Sequence, residues 1–529
     1  MKNNYNILTD DNFGNILIVF KSLLVGLAAG GIAVLYRFSL TYAEHFSFEL
    51  YAFLKINLRF IPFAVIALCM AACFVGYLVS KNQLISGSGI PQLEGILKGY
   101  FVNRKSWLHT LCSKFLGGVI AIGCGLSLGR EGPSIQLGAC VAEGLGKKIG
   151  KGRLERKILM ASGASAGLAA AFNAPMAGVV FALEEIFKYF SPVILLSMMS
   201  AAVAADFVSK QIFGLAPIFN FAITKGIPLN SYWILVVLGI ILGVMGAIYN
   251  YALMKTKELY KKIKALNTKT RLIIPFLMAG ILGIIFPVVL GGGHRIIEEL
   301  TLKNSIGFLC LILVLKFIFS MVSFGSGAPG GIFFPLIILG ATAGAVFAGI
   351  SINYFGVNQE LFNNFIILAM AGYFTAIVRA PITGIVLITE MTGSFTHILP
   401  LTVVAVTAYI TADLLKSPPV YEALLENMIR GEPVEVSEES SKKILVEIIV
   451  KHGSLFENNQ VKRIKWPGKS LLVGVKQGER QIIPKGDTEI KEGDYLDILT
   501  DINSESRIRD IINEMNEPMI EDKYGNTLL

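Results

Sequence analysis

Up to about Met428, long apolar runs dominate the chain, interrupted by glycine and proline more often than by charge. Uncharged stretches run from Phe60 to Ser80, Ile158 to Leu183, Ser231 to Met254, Leu272 to Gly293, Phe317 to Gln359 and Met391 to Ala412. Each reaches the roughly 20 residues that a helix needs to cross hydrocarbon. The pattern therefore predicts a polytopic membrane protein. Near Met428 it changes to "RGEPVEVSEESSKKILVEIIVKHGS", charged and rich in β-branched residues. In "SLLVGVKQGERQIIPKGDTEIKEGDYLDILTD" short apolar runs alternate with Gly and Asp turn signals, which predicts a small antiparallel sheet in a separate, water-exposed domain.

Composition supports this division. Of 529 residues 53% are hydrophobic and only 16% are charged, against about 25% charged in a typical soluble chain. The net charge of +9 does not call for nucleic acid, because the basic excess gathers in short loops. Lys147, Lys148, Lys151, Arg153, Arg156 and Lys157 form one cluster, and Lys255, Lys257, Lys261, Lys262, Lys264, Lys269 and Arg271 form another. Both are expected to face the cytoplasm, and the charged C-terminal domain with them. Met1 to Gly14 is polar and carries Asp10 and Asp11 where a signal peptide would be apolar, so the N-terminus is also expected in the cytosol. The cysteines (Cys69, Cys73, Cys112, Cys124, Cys140, Cys310) all lie in apolar segments, without disulfide or zinc spacing. His45, His109, His294, His397 and His452 are scattered, and no metal site or cofactor is expected.

The apolar region repeats itself. The pattern G-x3-P-x3-L-G-A occurs in "GREGPSIQLGA" and "GIFFPLIILGA", pairing Gly129, Pro133, Leu137, Gly138 and Ala139 with Gly331, Pro335, Leu339, Gly340 and Ala341. Downstream, "APMAGVVFALE" and "APITGIVLITE" pair Ala174, Pro175, Gly178, Val180 and Glu184 with Ala380, Pro381, Gly384, Val386 and Glu390. Two motifs in the same order at similar separation indicate a tandem duplication. Gly/Pro-interrupted segments at matching places in two halves predict an ion site made by broken helices where the halves meet.

Three glycine-rich stretches have the required character: "GSGIPQLEG" from Gly87, "GREGP" from Gly129 and "GSGAPGGIFFP" from Gly325. Each places glycines before a proline at the start of an apolar run, which fits a tight loop opening a helix. Helix N-termini present free amides and the positive end of the dipole, and so attract anions. Partial charges also bind an ion weakly enough to release it. Close helix packing is the competing explanation for the glycines. A nucleotide site is disfavoured, because none of the loops ends in the Lys-Ser/Thr of a P-loop. Glu131, in the first turn of its helix, either caps free amides or acts as a tethered anion that protonation releases. A charge at bilayer depth, costing roughly 3 kcal/mol, is a functional candidate. Glu184 and Glu185 end an apolar stretch and point about 100° apart on a helix, so one can face water and the other the protein.

With these motifs, residues 15–428 resemble the CLC family of chloride channels and chloride/proton antiporters, through "GSGIP", "GREGP" and "GGIFFP" in family order. The resemblance implies an all-α polytopic membrane protein with two inverted-topology repeats, about 15–210 and 230–428, following a cytosolic tail at 1–14. It implies a homodimer with one anion pathway per subunit and chloride, protons and lipid as partners; the charge pattern places both termini in the cytoplasm. The chloride-binding residues would be Ser88, Gly89, Ile90, Ile332, Phe333 and Tyr421. The helix starts supporting them would be Gly87, Pro91, Gly129, Arg130, Gly132, Pro133, Gly330 and Gly331. Glu131 corresponds to the external gating glutamate and Glu185 to the internal proton-transfer glutamate of the antiporters. An acid at position 185 favours antiport over a channel, serine at 88 favours chloride over nitrate, and the "GREGP" motif argues against the fluoride-selective branch. After a linker at 429–432, residues 433–505 resemble the TrkA-C regulatory domain, an α+β lobe expected to carry an unidentified small ligand or to serve assembly. This TrkA-C-like lobe suggests a prokaryotic cell membrane. A tail at 506–529 follows. The alternatives are an uncoupled chloride channel and a membrane-anchored sensor; an enzyme lacks any nucleophile, base or metal constellation.

Overall fold

The computed structural model describes residues 12–100, 106–150, 152–188, 190–219, 221, 225–263, 267–429, 443–468, 470–477, 480–501 and 505–516. The expected N-terminal tail up to residue 11, the linker beyond Ile429 and the tail from 517 lie outside the described residues. The chain forms two compact units, one from Met1–Glu94 and Asn103–Glu426, the other from Gly95–Val102 and Asn427–Leu529.

The first unit is helical. Its first half runs α1 (Asn12–Ile56), α2 (Ile61–Lys81), α3 (Ile90–Lys98), α4 (Trp107–Gly123), α5 (Glu131–Ile149), α6 (Arg153–Phe172), α7 (Pro175–Phe181) and α8 (Pro192–Phe213). The second runs α9 (Tyr232–Lys262), α10 (Ile273–Ile285), α11 (His294–Glu299), α12 (Ile306–Gly325), α13 (Phe333–Phe355), α14 (Phe362–Val378), α15 (Pro381–Thr392) and α16 (Ile398–Leu414), with α17 (Val420–Ile429) closing the unit. Element n of the first half answers element n+8 of the second, and local signals repeat with them. Ser106 caps α4 through the His109 amide and Ser305 caps α12 through the Phe308 amide. Asn173 ends α6 at φ 52° and Arg379 ends α14 at φ 71°, each followed by Ala-Pro opening the next helix.

Eight helices among the described residues are long and apolar enough to cross a membrane. The helices are more broken than the apolar stretches suggest. The Ile158 to Leu183 stretch turns at Asn173, Leu272 to Gly293 yields only the 13-residue α10, and Phe317 to Gln359 opens into a loop between α12 and α13. Hydropathy is blind to these interruptions because the residues that make them are themselves uncharged. α13 and α14, at the centre, are buried almost throughout.

The second unit holds a four-stranded antiparallel sheet of order β1-β4-β2-β3, with β1 Lys443–Ile449, β2 Ser470–Gln477, β3 Arg480–Ile482 and β4 Tyr495–Asp501. Alternation puts Val446, Ile448, Leu496 and Ile498 on one face, where Ile508 and Ile512 of α18 (Glu505–Met515) join them in the core.

Candidate functional site

The three glycine-rich loops meet. Gly129 and Gly331 exchange both backbone hydrogen bonds, each 2.7 Å long, in an isolated antiparallel bridge between the halves. The Gly330 amide donates to the Gly87 carbonyl at 3.0 Å, and the Ser86 hydroxyl donates to the Gly327 carbonyl at 3.0 Å. These contacts bring the starts of α3, α5 and α13 to one place. Glycine is needed for the approach: a Cβ on Gly132 would lie 2.9 Å from Ser88 Cβ, and one on Gly129 would lie 2.5 Å from Glu131 Oε2.

Ser88 is buried, with its hydroxyl accepting from the Ile90 amide, and Gly87 and Gly89 flank it at φ 66° and 91°. Pro91 falls in the first turn of α3 and Pro133 in that of α5. Ile332 and Phe333 are fully buried at the start of α13. The Phe333 ring packs 5.3 Å from that of Phe181, which stands 6.2 Å from Tyr421. Tyr421 is fully buried and its hydroxyl has no protein partner. A buried hydroxyl is costly to leave unpaired, which marks a place for something the protein itself does not supply.

Glu131 is fully buried, 3.7 Å from the Arg130 guanidinium, and neither carboxylate oxygen makes a well-formed hydrogen bond. Its carboxylate lies beside two helix-start amides, its own and that of Phe334. Oε2 sits beside the vacant face of Gly129, which it shares with the Phe334 amide in the first turn of α13. Glu185 is also buried, with Oε2 unpartnered. It belongs to a π-helical turn, Ala182–Phe187, instead of the regular helix that its spacing suggested. Such turns recur at functional sites. Glu185 lines an open cavity of about 560 Å³ with Glu184, Lys188, Arg379, Tyr409 and Glu422 among its neighbours. Lys188 pairs with Glu422 and stands 3.5 Å from the buried Glu94. Tyr421 lies in the electrostatic reach of both Glu131 and Glu185.

Sequence reasoning missed two features. Glu184 caps α15, accepting from the Thr383 amide and hydroxyl at 2.8 and 2.7 Å, while Glu390 of α15 caps α7 through the Met176 and Ala177 amides at 3.1 and 2.7 Å. Lys114 and Lys316, both fully buried, each donate to two carbonyls: Ile85 and Gly87 at 3.0 and 2.6 Å, Val289 and Gly291 at 3.0 and 2.7 Å. A lone lysine in the middle of each apolar run, before Phe in both halves, was the available signal.

Known proteins resemble the chain in both parts. The family described as voltage gated chloride channel matches residues 71–413, and the TrkA-C domain matches 445–513. The H(+)/Cl(-) exchange transporter ClcA of Klebsiella pneumoniae is 32% identical over 434 residues, covering 79% of this chain and 90% of that protein. Its namesake from Vibrio cholerae serotype O1 is 34% identical over 432 residues, covering 79% and 91%. The crystal structure of a slow cyanobacterial Cl-/H+ antiporter superposes with a TM-score of 0.73 at 30% identity, over 79% of this chain and 99% of that one. With its duplicated broken helices, bridged at Gly129 and Gly331, and its C-terminal TrkA-C domain, the chain belongs to the voltage-gated chloride channel (CLC) family.

Proposed function

We propose that the protein exchanges chloride for protons across a prokaryotic cell membrane, acting as a homodimer with both termini in the cytoplasm. The observation that carries this reading is a pair of buried carboxylates, Glu131 and Glu185, with the unpartnered Tyr421 hydroxyl in the electrostatic reach of both. Relatives at 32% and 34% identity named as H(+)/Cl(-) exchange transporters, and a structural neighbour titled as a Cl-/H+ antiporter, support it.

In this mechanism chloride rests between the Ser88 and Tyr421 hydroxyls and the amides of Gly89, Ile90, Ile332 and Phe333. Helix-end partial charges hold it without a full counter-charge and so allow exit. Ionised Glu131 competes for the amides at the start of α13. Taking up a proton discharges it, the carboxyl leaves, and an anion takes its place. Glu185, on the cavity at the other end, passes protons between the interior and the solution. Burial makes an ionised carboxylate expensive in both places, so each is suited to carry a proton.

The test is reconstitution in liposomes with a chloride gradient and voltage clamped near zero, following external pH. Chloride flow driving protons against their own gradient, lost in Glu185→Gln while chloride flux persists, is the expected result. Chloride moving without protons in both proteins replaces exchange with an uncoupled channel. Light scattering of the purified protein reads the dimer.

A further inference from the structure

In the C-terminal unit, the turn after β1 and the turn before β4 bring His452, Glu457 and Glu492 together. His452 Nδ1 stands 3.1 Å from Glu492 Oε2 and 3.3 Å from Glu457 Oε1, and one ligand atom from each residue lies within 4.8 Å of the others. We infer that these three side chains form a binding site for a divalent transition-metal cation of the Zn2+ class.

An ordinary ion pair explains the arrangement less well. Nδ1 carries at most one hydrogen, so it can serve both oxygens only by sharing it in a weaker three-centre bond. Two carboxylates nevertheless converge on that single atom from separate turns. A zinc ion with bonds of about 2.0–2.2 Å draws tetrahedral ligand atoms to roughly 3.4 Å from one another, and both measured separations fall near that spacing. One imidazole with two carboxylates suits zinc better than calcium or magnesium, which take all-oxygen sets. The fourth position opens to solvent, since the His452 side chain is 77% exposed.

The scaffold is fixed before any ion arrives. Val450 accepts from the Gly493 amide at 3.0 Å and donates to Asp494 at 2.9 Å, so the His452 and Glu492 turns cannot separate. Gly453 and Gly493 take φ of 73° and 80° to make those turns. Glu457 Oε2 accepts the Gly453 amide at 2.6 Å, which aims Oε1 at the histidine. Outer hydrogen bonds of this sort orient ligating groups. Asn516, just past the end of α18, holds the same turn, accepting from the Lys451 amide and donating to the Ile449 carbonyl. No local pattern announces the cluster, because Glu492 lies 40 positions from His452.

The experiment is equilibrium dialysis of the full-length, tag-free protein in detergent against Zn2+, beside His452→Ala and Glu492→Gln. One Zn2+ per chain is expected, with affinity falling at least about tenfold in each variant and metal-free unfolding temperatures unchanged. Wild-type protein that takes up no Zn2+ at millimolar concentration, or variants that bind it as wild type does, overturns the site. Should His452→Ala unfold early without metal, Glu492→Gln decides alone. None of these readouts depends on transport.

Discussion

Glu184 and Glu390 cap each other's helices: Glu184 follows α7 and binds the start of α15, while Glu390, near the end of α15, binds the start of α7. The exchange ties the halves together by two charge-assisted contacts. Replacing either carboxylate by alanine strands amides of a packed helix start, so Glu184→Ala and Glu390→Ala should each cost about 1–3 kcal/mol. Thermal unfolding in detergent reads the loss, and equal unfolding temperatures would refute the role.

Tyr421→Phe should behave differently. It deletes a buried hydroxyl that has no protein partner, so removing it should leave stability unchanged or slightly raised. Chloride affinity, measured by titration calorimetry, should fall several-fold. A loss of stability without a change in affinity would make the hydroxyl structural.

The buried lysines offer a matched pair. Lys114 grips the loop carbonyls of Ile85 and Gly87 next to Ser88, while Lys316 grips those of Val289 and Gly291. Lys114→Met and Lys316→Met should both destabilise, by about 1–3 kcal/mol. Only Lys114→Met should also weaken chloride binding, through the loop that presents Ser88.

Gly129→Ala tests the crowding around Glu131. The new methyl would lie 2.5 Å from Glu131 Oε2 and 3.0 Å from Pro335 Cδ. Overpacking of this kind costs about 1–3 kcal/mol, and the carboxylate is the most movable neighbour. Proton coupling in the liposome assay should therefore drop further than chloride flux; unchanged coupling would show that Glu131 does not need the space.

The duplication was legible because glycine, proline and glutamate recur at fixed spacing, which located the loops at Gly129 and Gly331, while glycines ahead of a proline marked the Gly87 loop that meets them. The sheet of the C-terminal domain followed from alternation. Other features depend on contacts made across the fold. The 3.6-residue period placed Glu184 and Glu185 on one regular helix, whereas both belong to a π turn at the cavity, where Glu184 also caps α15. The role of Lys114 and Lys316 lies in the loop carbonyls they hold, which no local pattern announces. Nothing local announces the pairing of Glu94 with Lys188.

The paired hydrogen bonds between Gly129 and Gly331 also restrict how the protein can move. Many transporters built from repeats alternate access by rocking one repeat against the other about a central site. Here the pivot of such a motion would pass through a two-bond splice joining the repeats at the site itself, with two more splices at Glu184 and Glu390. Rocking would have to tear all of them in each cycle. A carboxylate swinging through a few ångströms would leave all of them intact.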